Sequence, residues 1–109
     1  MVDALKSNIA LEMLRACLRG EQGVSVIPGK HFLKELAAEK LTLPVAWQVL
    51  KSGMIFDAPE HDVKSGEWKY HVEGYEPDGK WIVIVVSFKA VNRAYLITVF
   101  SVKEKGRPS

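Results

Sequence analysis

The chain has 109 residues, 48% of them hydrophobic, and a formal charge of +2, enough for one domain with a hydrophobic core that needs neither disulfides nor a metal. That charge is too small to argue for nucleic acid by itself, yet it is uneven, which permits a phosphate-bearing partner at the strands without requiring one: residues 1–63 carry seven Lys/Arg against eight Asp/Glu, and residues 64–109 carry eight against five. The single cysteine excludes an internal disulfide, and with no basic leader and no apolar run near ~18 residues in this sequence the expectation is a cytoplasmic protein.

From about Asp3 to Arg19 the chain reads as a helix, with Asp3 or Ser7 as cap, Leu11, Leu14 and Leu18 at helical spacing, and Gly20 to end it. Cys17 lies within that apolar pattern and reads as a small buried hydrophobe. Val24–Ile27 is a brief strand or an extended lead-in to the Pro28-Gly29 turn. A second helix begins near His31 and buries Phe32, Leu33, Leu36 and Ala37. The third has the clearest signals: Thr42 as N-cap, Pro44 in the first turn, Leu41 as a staple toward Ala46, and Gly53 after the last periodic residue, Leu50. The short link between these two helices predicts a helical hairpin across one face of a sheet.

Met54–Phe56 reads as a strand ended by Asp57-Ala58-Pro59, and Trp68–Glu73 alternates, with Trp68, Tyr70 and Val72 on one face and Lys69, His71 and Glu73 on a wet one. Pro77-Asp78-Gly79 is a turn by its chemistry, pairing that strand antiparallel with the next. Residues 81–88 are apolar on both faces, so this strand is expected to be the most buried, covered by helices and flanked by 68–75 and 94–102. Thr98 and Ser101 interrupt the apolar registers of the last strand, and Arg93 stands at its mouth. The expectation is one α+β domain over 1–109, about three helices packed on a roughly four-stranded antiparallel sheet, with 1–20 as an added helix and 104–109 as a frayed tail.

Phosphate-binding glycine loops, dinucleotide fingerprints, cysteine pairs and serine elbows are absent from the sequence, and His31, His61 and His71 do not fall at metal-ligand spacing. The pattern Lys30-His31, Leu43-Pro44-Val45, Trp47–Leu50, Lys51–Ile55, Tyr70–Gly74 and Leu96–Val99 resembles a family of small bacterial proteins grouped with the RelE-like part of the barnase, EndoU, colicin and RelE nucleases. The resemblance covers about residues 30–103, and Tyr95–Val99 followed by Ser101–Lys105 is similar to the MqsR-type toxins. It implies a helix pair on a small antiparallel sheet and a metal-independent endoribonuclease toxin. No cofactor is implied, and the partners are RNA and a cognate antitoxin, either zinc-binding or of helix-turn-helix type. RelE-like toxins that act on the ribosome are strongly basic, and this chain is not.

Metal-free RNA cleavage needs a base for the 2′-hydroxyl, cations for the phosphorane and an acid for the leaving oxygen. His31 titrates near neutrality and opens a helix whose main-chain N–H groups attract phosphate; the family's histidine begins this helix with a basic residue one turn on, the place of Lys34. The alternative is a histidine that caps or packs at the sheet edge. Arg93 offers a planar, permanently charged phosphate clamp, or is a plain turn residue. Thr98 offers a hydroxyl, or reflects β-propensity. Lys69, His71 and Lys89 are candidate phosphate contacts, or a solvated face. The rival function is a noncatalytic domain that binds a protein or small ligand. Convergence of His31, Lys34, Arg93 and Thr98 would mark the enzyme, and dispersal the binding domain.

Overall fold

The strand over Trp81–Ala90 organises the molecule. The computed structural model describes residues 7–19, 25–77, 79–90 and 93–102, and in it the elements run α1 (Ser7–Arg19), β1 (Ser25–Pro28), α2 (Lys30–Ala38), α3 (Leu43–Ser52), β2 (Glu60–His61), β3 (Trp68–Tyr75), β4 (Trp81–Ala90) and β5 (Arg93–Val102). Asp3, Gly20, Val24, Asp78, the side chain of Lys89 and the tail from Lys103 lie outside the description.

The sheet has five strands in the order β1-β5-β4-β3-β2. As its two-sided apolar pattern requires, β4 is central and buried from Trp81 to Ser87, antiparallel to both β3 and β5. The four-stranded antiparallel expectation is corrected at the edges. β1 pairs parallel with the start of β5, from Ser25 opposite Arg93 to Pro28 opposite Leu96, making the sheet mixed. At the other edge, Met54–Phe56 forms only one bridge, Met54 to Glu73, and the two-residue β2 pairs further along β3. Among the described residues no helix is long and apolar enough to cross a membrane.

All three helices share one face of the sheet. Leu11, Leu14 and Cys17 from α1, Phe32 and Leu36 from α2, and Ala46, Val49 and Leu50 from α3 join Val72, Ile82, Ile84, Val86, Ala94, Leu96 and Val99 in one core. Burial raises the Cys17 thiol above its ordinary pKa, as expected of a small hydrophobe. The predicted helical hairpin does not close on itself: α2 lies along β5, whereas α3 lies over β3 and β4 and packs on α1. Leu33 and Ala37, expected inward, are exposed, because nine residues of α2 turn only Phe32 and Leu36 squarely to the sheet.

Local chemistry accounts for the helix ends. Thr42 Oγ1 accepts from the Val45 N–H at 3.4 Å and Pro44 sits in the first turn of α3, as its sequence requires. α2 ends without a glycine: Lys40 takes φ +58°, its N–H donates to the Ala37 carbonyl, and the Leu41 N–H donates to the Leu36 carbonyl at 2.9 Å. This is the paired-bond stop usually given to glycine. An L-residue in that conformation costs roughly 1–2 kcal/mol, so Lys40→Gly is expected to raise unfolding stability by about 1 kcal/mol in urea titrations.

Gly53 joins the helical layer to the sheet. Its φ of −75° suits any residue, but a Cβ there would meet the Val49 carbonyl oxygen at 2.5 Å and the Glu73 carbonyl oxygen at 2.7 Å. Gly74 faces it across the gap, with the position of its absent Cβ 3.3 Å from the Gly53 Cα. Because both obstacles to Gly53 are backbone atoms, Gly53→Ala has no soft neighbour to displace and is expected to cost about 1–3 kcal/mol. Chemical denaturation at matched ionic strength checks it.

Candidate functional site

The sheet face without helices is read directly from the register. Four rows cross β3, β4 and β5: Tyr75, Trp81 and Val102; Glu73, Val83 and Phe100; His71, Val85 and Thr98; Lys69, Ser87 and Tyr95. Met54 extends the second row, being paired with Glu73. A register shift beside Val86 places Thr98 opposite Val85 and Leu96 opposite Val86, so Ile97 is the inserted residue and Thr98 faces away from the helices.

Among the described residues no second helical layer covers this face, yet Val83, Val85 and Ser87 are buried. Neighbouring side chains close over them. The Trp81 ring stands edge-on to Tyr75 at 4.7 Å between centroids and meets Phe56 at 6.1 Å. Its Nε1–H donates to Glu73 Oε1 at 3.0 Å, and Ser87 donates to Glu67 Oε1 at 2.8 Å. Glu73, expected on a wet face, is only 2% exposed for that reason.

The face has two ends of different chemistry. At one, Met54, Phe56, Tyr75 and Phe100 are 50%, 51%, 48% and 37% exposed, more apolar surface than an isolated half-buried leucine would explain. Toward the other, His71 Nε2 lies 2.9 Å from Glu60 Oε1 and Lys69 Nζ lies 3.1 Å from Asp62 Oδ2. The Asp62 carboxyl is held below its ordinary range by the Lys69 hydrogen bond first, then by the Ser65 and Lys64 N–H groups. Arg93, exposed at the start of β5, lies at this end.

The residues singled out from sequence divide between the two faces. Lys69, His71 and Thr98 share the helix-free face, with His71 and Thr98 on either side of Val85, about 10 Å apart by strand spacing. Arg93 alternates with buried Ala94 and so points to the same side. His31 and Lys34 belong to α2 on the opposite side; His31 is 68% exposed, with Nε2 3.7 Å from Glu35 one turn on. The backbone of Lys89 continues β4 toward the Arg93 end. Ser101 faces the helices and donates to Glu39 Oε1 at the end of α2. His61 stacks on Trp68 at 4.5 Å.

Glu60, Glu67, Phe56 and Met54 were not selected from sequence. The only signal was indirect, an irregular stretch between two strand-like segments. Among the described residues no group of three or more His, Cys, Asp or Glu side chains is placed to hold a metal ion. No family model, curated protein or solved structure matches the chain.

The Asp62 contact gives a pH prediction. A carboxyl whose folded pKa lies below its unfolded value stabilises the fold above the unfolded pKa, and that contribution is lost as pH falls through the folded one. NMR titration is expected to put the Asp62 midpoint below the ordinary aspartate value, and Lys69→Met to move it upward. An unchanged midpoint in the variant would remove Lys69 as the main cause.

Proposed function

We propose that this protein is a noncatalytic binding domain that holds a protein partner on the helix-free face of its sheet. One observation carries the reading: Met54, Phe56, Tyr75 and Phe100 are all exposed toward one end of a sheet face that no helix among the described residues covers. Aromatic side chains are stiff, large and able to bury much area at small entropic cost, which is why they anchor protein interfaces, and methionine adapts to a partner's shape. The separation of His31 and Lys34 from Arg93 and Thr98 across the sheet supports binding over the catalytic constellation these four would make together.

The test is affinity capture from the protein's own source. A partner is expected to be retained by the wild type and by Leu43→Ala on the exposed surface of α3, and lost by Tyr75→Ser with Phe100→Ser. Equal capture by the two variants, or capture by none of the three proteins, removes the face as an interface.

A second reading is supported by the His71–Glu60 contact. In it the protein is a RelE-like endoribonuclease toxin restrained by an antitoxin, with α1 and β1 added to the α2–β5 unit. Glu60 orients the imidazole by accepting from Nε2–H, leaving Nδ1 to take the 2′-hydroxyl proton. The 2′-oxygen then attacks phosphorus, the 5′-oxygen leaves with a proton, and Arg93 and Lys69 offset the developing charge. Purified protein is then expected to cleave RNA to 2′,3′-cyclic phosphate ends, with His71→Ala slowing it by about 10² or more. His31→Ala would leave the rate near wild type. Cleavage that survives His71→Ala but not His31→Ala would place the chemistry on the helical side, and intact RNA with the wild type would leave binding alone.

A further inference from the structure

The apolar end of the helix-free face has nearly the area that one side of a protein contact needs. Its methionine and three aromatic side chains are between 37% and 51% exposed. An aromatic side chain carries roughly 150–250 Å², so about 300–400 Å² of apolar surface is left in water. A standard interface takes about 800 Å² from each partner, of which about 450 Å² is apolar. The patch alone supplies most of that. Its charges, by contrast, give a foreign partner little to read. Glu73 and Glu76 are buried, the first accepting from the Trp81 indole and the second, through Oε1, from the Lys80 N–H at 3.3 Å. Asp57 has a partner within the chain, and Glu60, Asp62 and Glu67 are engaged further along β3. Lys80 is exposed at this end of β4, and an occupant has to leave it in water.

Resting on the binding reading above, we infer that the occupant of this patch is a second copy of the chain, packed sheet to sheet about a two-fold axis that crosses the strands between the first two rows. That axis sets the row of Tyr75, Trp81 and Val102 against the other copy's row of Met54, Glu73, Val83 and Phe100, and the reverse. Large side chains then stand over small ones. Phe100 lies over Val102 of the other copy and Trp81 over Val83, the alternation that lets two layers interdigitate about 10 Å apart. Tyr75 comes beside Met54, whose flexible side chain adapts to a ring. The same axis separates the two Lys80 residues by four residues along the strands, about 14 Å, which exceeds the screening length of about 8 Å at physiological salt. Like charges are thus kept apart, and β4 is covered on the face its own helices leave open.

Sedimentation of the intact protein over a hundredfold range of concentration tests this, with two-dimensional NMR spectra recorded on the same dilution series. The wild type is expected to pass from dimer to monomer with a dissociation constant on the order of 10 μM, at the weak end for a standard interface. The amides of Tyr75, Trp81, Phe100 and Val102 are expected to shift on dilution while those of α3 stay fixed. Tyr75→Ser with Phe100→Ser is expected to remain monomeric, and Leu43→Ala to dimerise as the wild type does. The dilution shifts are read on the wild type, so they decide the matter even where the double variant fails to fold. A wild type that is monomeric throughout, or a dimer whose shifts fall on α3 and spare β3 to β5, would overturn the inference and leave the face to a foreign protein. A monomer through whose face affinity capture also retrieves nothing would overturn the binding reading as well.

Discussion

The close approach of α3 to β3 at Gly53 is the constraint on which the rest of the structure depends. Met54 and Glu73 exchange two main-chain hydrogen bonds of 2.9 Å immediately after it, and Arg15 of α1 donates to the Gly53 carbonyl at 2.9 Å. One point therefore ties α1, α3 and the sheet edge together. It works only because neither Gly53 nor Gly74 carries a Cβ, which lets two backbones approach within van der Waals contact. The chain leaves that point along the outer edge of β3, and its course decides what the helix-free face becomes.

That course solves a burial problem. β4 has large apolar side chains on both faces, and the helices can cover only one. Sending residues 54–67 along the edge brings Phe56 onto Trp81 and Glu67 onto Ser87, so the second face is sheltered by side chains where other sheets use another layer. Such shelter is incomplete. The residues that provide it, Phe56 and Tyr75 among them, remain half in water, and the patch proposed for binding is the outer surface of the same cover. Packing and recognition are thus carried by the same side chains, and a substitution of Trp81 would disturb both.

The charged groups of this face are paired with one another along the edge of β3. Lys69 is engaged by Asp62, and Arg93 stands with it at the end of the strands away from Tyr75. The carboxylates of the edge segment are engaged along β3: Glu60 by His71, Asp62 by Lys69, Glu67 by Ser87 and Glu73 by Trp81.

The sequence by itself determined the elements whose signals are local. Thr42, Pro44 and Gly53 bound α3 through capping and ring geometry; the two-sided apolar run of β4 made it central; and Pro77 with Gly79, at φ +96°, turned β3 back upon β4. Tertiary structure decided what no local pattern encodes. Four residues of β1 are too few for their pairing to be read, and parallel contact with β5 exists only because α1 and α2 bring them there. Lys40 ended α2 in a conformation that sequence assigns to glycine, since the Leu41–Leu36 and Lys40–Ala37 main-chain bonds outweigh its local strain. Alternation placed His71 and Lys69 on a common face, but it could not show that Glu73 beside them would be buried under Trp81, nor that His31 and Thr98 would lie on opposite sides of the sheet. A period of two reports which residues share a face of one strand. Which face receives the helices is settled only when the whole chain packs.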